Sequence, residues 1–481
     1  MSFNFRAIQY VLGLISLIGA AFIFVPFIVA YVSNDGQVLA FAATFLLMVA
    51  TGALLWYPHR GIHDFHRRDI YIIVTGGWVL LSLFGMLPYV LGGTIPSLGQ
   101  AFFETASGFT TTGATVLADI DVVPHSILLW RSMTQWVGGM GIVVLMIAIM
   151  PILGIGGMQL FSAESPGVMV DRIRPRIRET ALMMWIVYIS LTISAIALLW
   201  AGGISFFDAV NHAFTTLSTG GFSTHTASAA AFSPYVQYVL ILFMFLAGIN
   251  FALLYAGLAG RIRTFFRNEE LRMYILITVC AGVFAWFFLA QGGMGLEESF
   301  RTGLFQVVSI LTTTGFTTAD YTTWAHPVVY ILLVLTLIGG MTGSTAGGVK
   351  IMRHLVLLKD MMLEFKKQLR PDAIFPLRVN GVLIQQTILY RIIVFVVVYL
   401  LVLAVAVFLL LLFGHDMATS VGAAVATLGN IGPGFGAVGP GGYFGSFSEP
   451  MLWFLSGLMI IGRLELFTVL ILFTPYFWKR Y

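Results

Sequence analysis

Charge is what this sequence has least of. Lys, Arg, Asp and Glu make up 10% of its 481 residues, against about a quarter in an ordinary soluble chain. That excludes an ordinary soluble domain. Cysteine is almost absent: the one cysteine, Cys280, lies inside an apolar run, so no disulfide can form within the chain. No GxxxxGK[ST] phosphate loop occurs, so the sequence offers no ATP-driven step through that motif. No acid, base and metal-ligand cluster lies at one depth, as a membrane enzyme would need. His59, His63 and His66 have helical ligand spacing, but they stand in a basic turn without cysteine and read as part of that turn. The net charge of +4 carries no nucleic-acid signal, because the basic residues are spread among separate short connections.

What is present is apolar sequence, 59% of the chain. Runs of ~20 apolar residues are long enough to cross the hydrocarbon layer as helices. Ten are predicted, at 8–32, 37–57, 70–92, 125–153, 181–202, 234–258, 272–291, 326–360, 385–413 and 450–477. The first is too long for a cleaved leader, and the chain returns at once into a second. Basic residues follow every second span: Arg60, Arg67 and Arg68; Arg172, Arg174, Arg176 and Arg178; Arg261, Arg263 and Arg267; Lys366, Lys367, Arg370 and Arg378; and finally Lys479 and Arg480. The intervening long connections hold nine acids and one basic residue, Arg301. By the positive-inside rule both termini are expected in the cytoplasm.

Those acid-rich connections contain a repeat. "FTTTGAT" (109–115), "LSTGGFS" (217–223), "LTTTGFT" (311–317) and "LGNIGPG" (428–434) align on Gly113, Gly221, Gly315 and Gly432, spaced 108, 94 and 117 residues apart. Each follows a helix-compatible segment too short to cross a membrane. Each precedes a proline that opens the next span: Pro124, Pro234, Pro327 and Pro450. Small residues in membrane helices commonly serve packing, but these glycines share one register among polar neighbours. The expected unit is span, half-helix, glycine stretch, span, repeated at 70–153, 180–262, 268–365 and 384–481, after an N-terminal pair of spans at 1–69. Non-helical backbone at membrane depth is tolerated where it lines a cavity. The carbonyl end of a half-helix favours a cation, and rings of backbone carbonyls can replace a cation's water. The four stretches contain no acid, which argues against a carboxylate ring.

Two features lie deeper. "GGMTGSTAGG" (339–348) interrupts the span after the third stretch, and its glycines are poor helix formers, so a broken helix is expected. Arg463 stands thirteen residues past Pro450, as Gly340 does past Pro327, so the two lie at similar depth. An arginine there must face the bundle interior, either paired with Glu465 or a helix-end carbonyl or set in the ion path. Lys350, Arg353, Lys359, Lys366 and Lys367 read mainly as a cytoplasmic anchor.

With "STGGFSTH", "GNIGPG", "GGMTGSTAGGVK" and "GRLELFT" added to the threonine-glycine stretches, the chain resembles the Trk/Ktr/HKT superfamily of potassium transporters along nearly its whole length, most closely the TrkH-type bacterial branch. The resemblance implies an all-α integral membrane protein of the bacterial inner membrane, with ten transmembrane helices. It implies four M1–pore-helix–M2 repeats around one pseudo-fourfold pore, with an N-terminal helix pair. It assigns a potassium selectivity filter to Gly113, Gly221, Gly315 and Gly432 with Thr111, Thr112, Thr219, Gly220, Thr313, Thr314, Asn430 and Ile431. Glycine at the first site favours potassium over sodium. Gly343, Ser344 and Thr345 match the centre of the family's gating loop, and Arg463 its pore-narrowing arginine. A homodimer embedded in lipid, a TrkA-type cytoplasmic nucleotide-binding partner and potassium as substrate, without a bound cofactor, are likewise implied. A membrane potential supplies ~2.3 kcal/mol per charge per 100 mV, roughly 40-fold accumulation. Channel-like uptake therefore suffices, with proton- or sodium-coupled symport as the alternative.

Overall fold

The computed structural model describes residues 3–60, 66–141 and 177–479. It is built almost wholly of helices. Phe5–Ser33 starts at Asn4, whose side chain accepts from the Ala7 amide, and ends at Asn34 in the left-handed region. It packs against Val38–Trp56 through a backbone-to-backbone approach. A Cβ on Gly13 would lie 2.7 Å from Trp56 N and 2.8 Å from Gly52 O, the small-residue contact expected where helices meet in lipid.

Four half-helices follow, each preceded by a longer helix: Leu98–Phe109, Phe206–Leu217, Leu296–Leu311 and Met417–Gly429. Three are started by side chains. Ser97 accepts from Gln100 N, Ser205 from Asp208 N and Asp416 from Thr419 N, satisfying amides that a helix start leaves open. Each half-helix is buried along most of its length, so surrounding helices shield it.

The return helices are short. They run His125–Gly139, Pro234–Ala247, His326–Ile338 and Glu449–Arg463, 13 to 15 residues each. The sequence predicts a break in the third. The structure also bends the second against Phe251–Leu258 by 105° and the fourth against Phe467–Phe473 by 115°. The expected continuous spans 234–258 and 450–477 are thereby corrected. Among the described residues six helices are long and apolar enough to cross a membrane, or up to eight if each bent pair is one span. The end of the predicted span 125–153 lies outside the described residues, as do Arg172, Arg174, Arg176, His63 and Arg480.

Hydropathy misses both bends because the freed backbone groups find partners elsewhere. In the second return helix, Gly248 O accepts from Met341 N, Phe251 N donates to Gly343 O, and Asn250 caps the following helix. In the fourth, Glu465 and Leu466 take φ of 55° and 51°, and Leu466 N closes onto Ile461 O. A small antiparallel ladder, Arg378–Val379 with Val382–Leu383, departs from the all-helical expectation. Its turn is Asn380–Gly381, both at positive φ, a tight-hairpin pair that the sequence shows plainly.

Candidate functional site

The four aligned glycines meet in a closed ring. A Cβ on Gly113 would lie 2.0 Å from Gly220 O, and one on Gly221 would lie 1.9 Å from Thr314 O. A Cβ on Gly315 would lie 2.9 Å from Gly432 N, and one on Gly432 would lie 2.9 Å from Gly113 O. Each stretch therefore touches the next in chain order, and the fourth returns to the first.

The backbone repeats as well. Two residues before each glycine, Thr111, Thr219, Thr313 and Asn430 have φ of 53°, 54°, 58° and 55°. Gly113, Gly221 and Gly315 are left-handed in turn, at 82°, 76° and 85°, while Gly432 is not among the positive-φ residues. In each stretch the amide one residue before the glycine closes onto the half-helix. Thr112 N donates to Ser107 O, Gly220 N to Thr215 O, Thr314 N to Ser309 O, and Ile431 N to Ala426 O. This is the 6→1 bond of a helix C-terminal motif. It consumes amide donors and leaves carbonyls. Among the described residues no hydrogen-bond donor reaches the carbonyls of Thr111, Thr112, Gly113, Thr313, Thr314, Gly315, Asn430 or Ile431. A buried ring of unpaired carbonyls suits a desolvated cation.

The threonine side chains brace the ring. Thr110 and Thr112 share a hydroxyl contact of 2.7 Å, and Thr312 and Thr314 one of 2.8 Å. Asn430, which breaks the threonine pattern of the fourth stretch, suits its position: asparagine tolerates left-handed φ, and its amide donates to Thr112 Oγ1 and Met459 O at 3.0 and 2.9 Å.

Above the ring lies a cavity of about 160 Å³ that all four glycines line. Thr226, which lines it, hydrogen bonds the exposed Asp121 carboxyl and holds it below the usual range. Behind it, buried Arg131 pairs with buried Glu104 at 2.9 Å. The pair joins two stretches, since Glu104 accepts from Val116 N at 2.8 Å and Arg131 donates to Ser223 O at 3.1 Å. Removing one member strands the other charge, which costs about 3–5 kcal/mol. Arg131→Met is accordingly expected to lower the melting temperature in detergent far more than Arg131→Met combined with Glu104→Leu. Equal losses would mean that the pair is not the strut described.

Below the ring is a second cavity, of about 120 Å³, lined by Thr342–Gly348, Lys350, Asn430 and Arg463. The segment 339–350 is non-helical and bonded on every side. Thr345 Oγ1 donates to Leu217 O at 2.9 Å, and Gly347 N to Thr313 Oγ1 at 2.6 Å. Gly348 N donates to Gly429 O at 3.0 Å. Asn250 Nδ2 donates to Thr342 O at 2.6 Å, and Thr342 N to Glu270 Oε1 at 2.7 Å. Gly343 sits against Asn250 at φ 79°, and Ser344 Oγ bonds Met341 O at 2.5 Å. Arg463 donates to Thr345 O at 2.8 Å and to Gly138 O and Gly139 O at 2.9 and 3.1 Å. Gly343, Ser344, Thr345 and Arg463 are thus brought together under the ring. Glu465 pairs with Arg353, and Lys350 Nζ bonds Ala346 O. Both cations are buried and bonded within the protein, a setting that the anchor reading did not anticipate.

This architecture has known counterparts. The TrkH family, described as cation transport protein, matches residues 37–480. The chain belongs to the TrkH family. The Trk system potassium uptake protein TrkH of Escherichia coli K12 is 40% identical over 99% of this chain and all of that one. TrkG of the same organism is 33% identical over 98% of this chain and 99% of its own length. The crystal structure of the potassium transporter TrkH from Vibrio parahaemolyticus superposes with a TM-score of 0.89, at 37% identity, covering 99% of this chain and 100% of that one.

Membership in the TrkH family, with six spanning-length helices among the described residues, makes this a multi-pass membrane protein. Sequence reasoning named the ring, the loop and Arg463 as candidate sites. It missed Gln135, Glu270 and the Arg131–Glu104 pair. Glu270 opens an apolar span and had no visible partner in the sequence. Among the described residues no cluster of three or more His, Cys, Asp or Glu side chains could hold a metal ion.

Proposed function

We propose that this TrkH-family chain takes up potassium through a gated, channel-like pore whose selectivity filter is the carbonyl ring. The observation that carries the reading is the closed circuit of four glycine stretches, with the carbonyls of the first, third and fourth free of donors among the described residues. Thr111–Gly113, Thr219–Gly221, Thr313–Gly315 and Asn430–Gly432 bind the ion, which is substrate. The segment at Gly343, Ser344 and Thr345, latched by Arg463, is the gate. The alternation of basic and acidic connections supports an inner-membrane orientation with both termini cytoplasmic, and the half-helix face then points outward. A TrkA-type nucleotide-binding partner and a homodimer are part of the same proposal. The test is flux: purified protein in liposomes should pass potassium or rubidium and discriminate against sodium. A reversal potential that follows a pH gradient would instead favour proton-coupled symport.

Within this reading Glu270 is a latch. Its carboxylate holds the Thr342 amide, an acceptor role that a neutral amide oxygen can also fill. Glu270→Ala is expected to raise partner-independent flux about tenfold, the scale of one buried charged hydrogen bond. Glu270→Gln should stay near the wild type, with selectivity intact in both. Equal flux from the two variants would remove the latch role.

A further inference from the structure

The second stretch differs from the others at one position. Immediately before the ring glycine, the other three carry a side chain: Thr112, Thr314 and Ile431. The second has Gly220. Its φ is not among the positive ones, so the backbone itself accepts a side chain there. Space does not: a Cβ on Gly220 would lie 2.3 Å from Cδ and 2.4 Å from Oε1 of Gln135.

Gln135 belongs to the neighbouring unit, on the return helix His125–Gly139, and is fully buried. Its Nε2 donates to Gly220 O at 2.8 Å, and its Oε1 accepts from Phe222 N at 3.0 Å. Both ends of the carboxamide are used on one stretch, on either side of Gly221. The carbonyls of Thr112, Thr314 and Ile431, which correspond to that of Gly220, have no donor among the described residues. One quadrant of the ring is therefore clamped from outside its own unit, and one of its carbonyls shares its lone pairs with an amide.

We infer that Gln135 is a specificity-determining residue: it stands in for the missing residue-220 side chain and fixes the second quadrant of the filter. The inference rests on the filter reading proposed above. A threonine at 220 would have a ready partner. Ser218 occupies the place of Thr110 and Thr312, each of which meets the hydroxyl two residues on, and Ser218 Oγ now donates only to Thr215 O at 3.2 Å.

The test is a cycle of Gln135→Ala, Gly220→Thr and the double variant in the full chain. Its readouts are bi-ionic reversal potential in lipid bilayers and melting temperature in detergent. Gln135→Ala should lower the potassium-over-sodium permeability ratio about tenfold, the loss of a buried hydrogen-bonded clamp. Gly220→Thr alone should melt well below the wild type, since its Cβ collides with Gln135. The double variant should melt above Gly220→Thr and recover selectivity relative to Gln135→Ala. A double variant no better than Gly220→Thr, or one that fails to fold alongside it, overturns the inference, as does unchanged selectivity in Gln135→Ala. Wild-type protein that does not discriminate the two ions would overturn the filter reading itself. The melting cycle would still decide whether Gln135 fills the place of a residue-220 side chain.

Discussion

Serine at Gly221 or Gly113 is expected to abolish discrimination between potassium and sodium, whereas serine at Gly432 should only reduce it. The ring is not uniformly tight. At Gly221 a Cβ would fall 1.9 Å from Thr314 O, and at Gly113 it would fall 2.0 Å from Gly220 O. Both glycines also hold φ of 76° and 82°, where an L-residue costs roughly 1–2 kcal/mol before any clash. The atom struck is a carbonyl oxygen of the ring, so relief comes only by moving a group that the filter reading places on the ion. The amides behind those carbonyls are bonded to the half-helices, which leaves little freedom to yield.

Gly315 is intermediate: its Cβ would meet Pro433 Cδ at 2.8 Å and Gly432 N at 2.9 Å, at φ 85°. Gly432 lacks the left-handed φ and would approach Gly113 O at 2.9 Å. The expected order of damage is Gly221 and Gly113, then Gly315, then Gly432. The first two should lose ~100-fold in permeability ratio, about 2.8 kcal/mol at 1.4 kcal/mol per tenfold. Reversal potentials under bi-ionic potassium and sodium measure it. Four equal losses, or Gly432→Ser as damaging as Gly221→Ser, would contradict the ring geometry.

The ring was legible in the sequence because its requirement is local. A residue that must let a neighbour's backbone approach this closely has to be glycine, and four such glycines share a register. The half-helices were legible for the same reason: short apolar segments, bounded by capping residues and polar stretches, cannot cross a membrane. The broken return helices were half legible. The glycine run at 339–348 announces a break, but Gly248 and the segment 464–466 sit in windows apolar enough to look continuous. What ends those helices is a set of bonds to distant residues: Met341 N to Gly248 O, and Arg463 to Gly138 and Gly139. Gln135 and Glu270 were invisible for that reason too. Each is a polar helix residue whose partner lies far along the chain, 85 residues away for Gln135 and 72 for Glu270. Lys350 reads as an anchor because it opens a run of basic residues continuing toward the cytoplasm, whereas the loop turns its ammonium inward.

Removing Arg463 should raise basal cation flux by roughly 10–100-fold, and two different effects contribute. The guanidinium joins Thr345 of the loop to the end of the first return helix at Gly138 and Gly139, so it latches the loop across units. Hydrogen bonds from a charged donor are worth about 1.5–3 kcal/mol each. It also places a positive charge beside the cavity under the ring. A monovalent cation ~6 Å away, at an effective dielectric of ~20, is repelled by about 2.8 kcal/mol. Arg463→Lys separates the two, because it keeps the charge while losing the planar fork that spans three carbonyls. If the barrier dominates, lysine behaves like wild type and alanine leaks. If the latch dominates, both leak, and Glu270→Ala should add nothing to Arg463→Ala, since a loop already released cannot be released again. Flux through proteoliposomes holding this chain alone reads all four proteins. Wild-type flux from a folded Arg463→Ala variant would remove Arg463 from the gate altogether, leaving the loop's own bonds to Leu217, Thr313 and Gly429 as what closes the path.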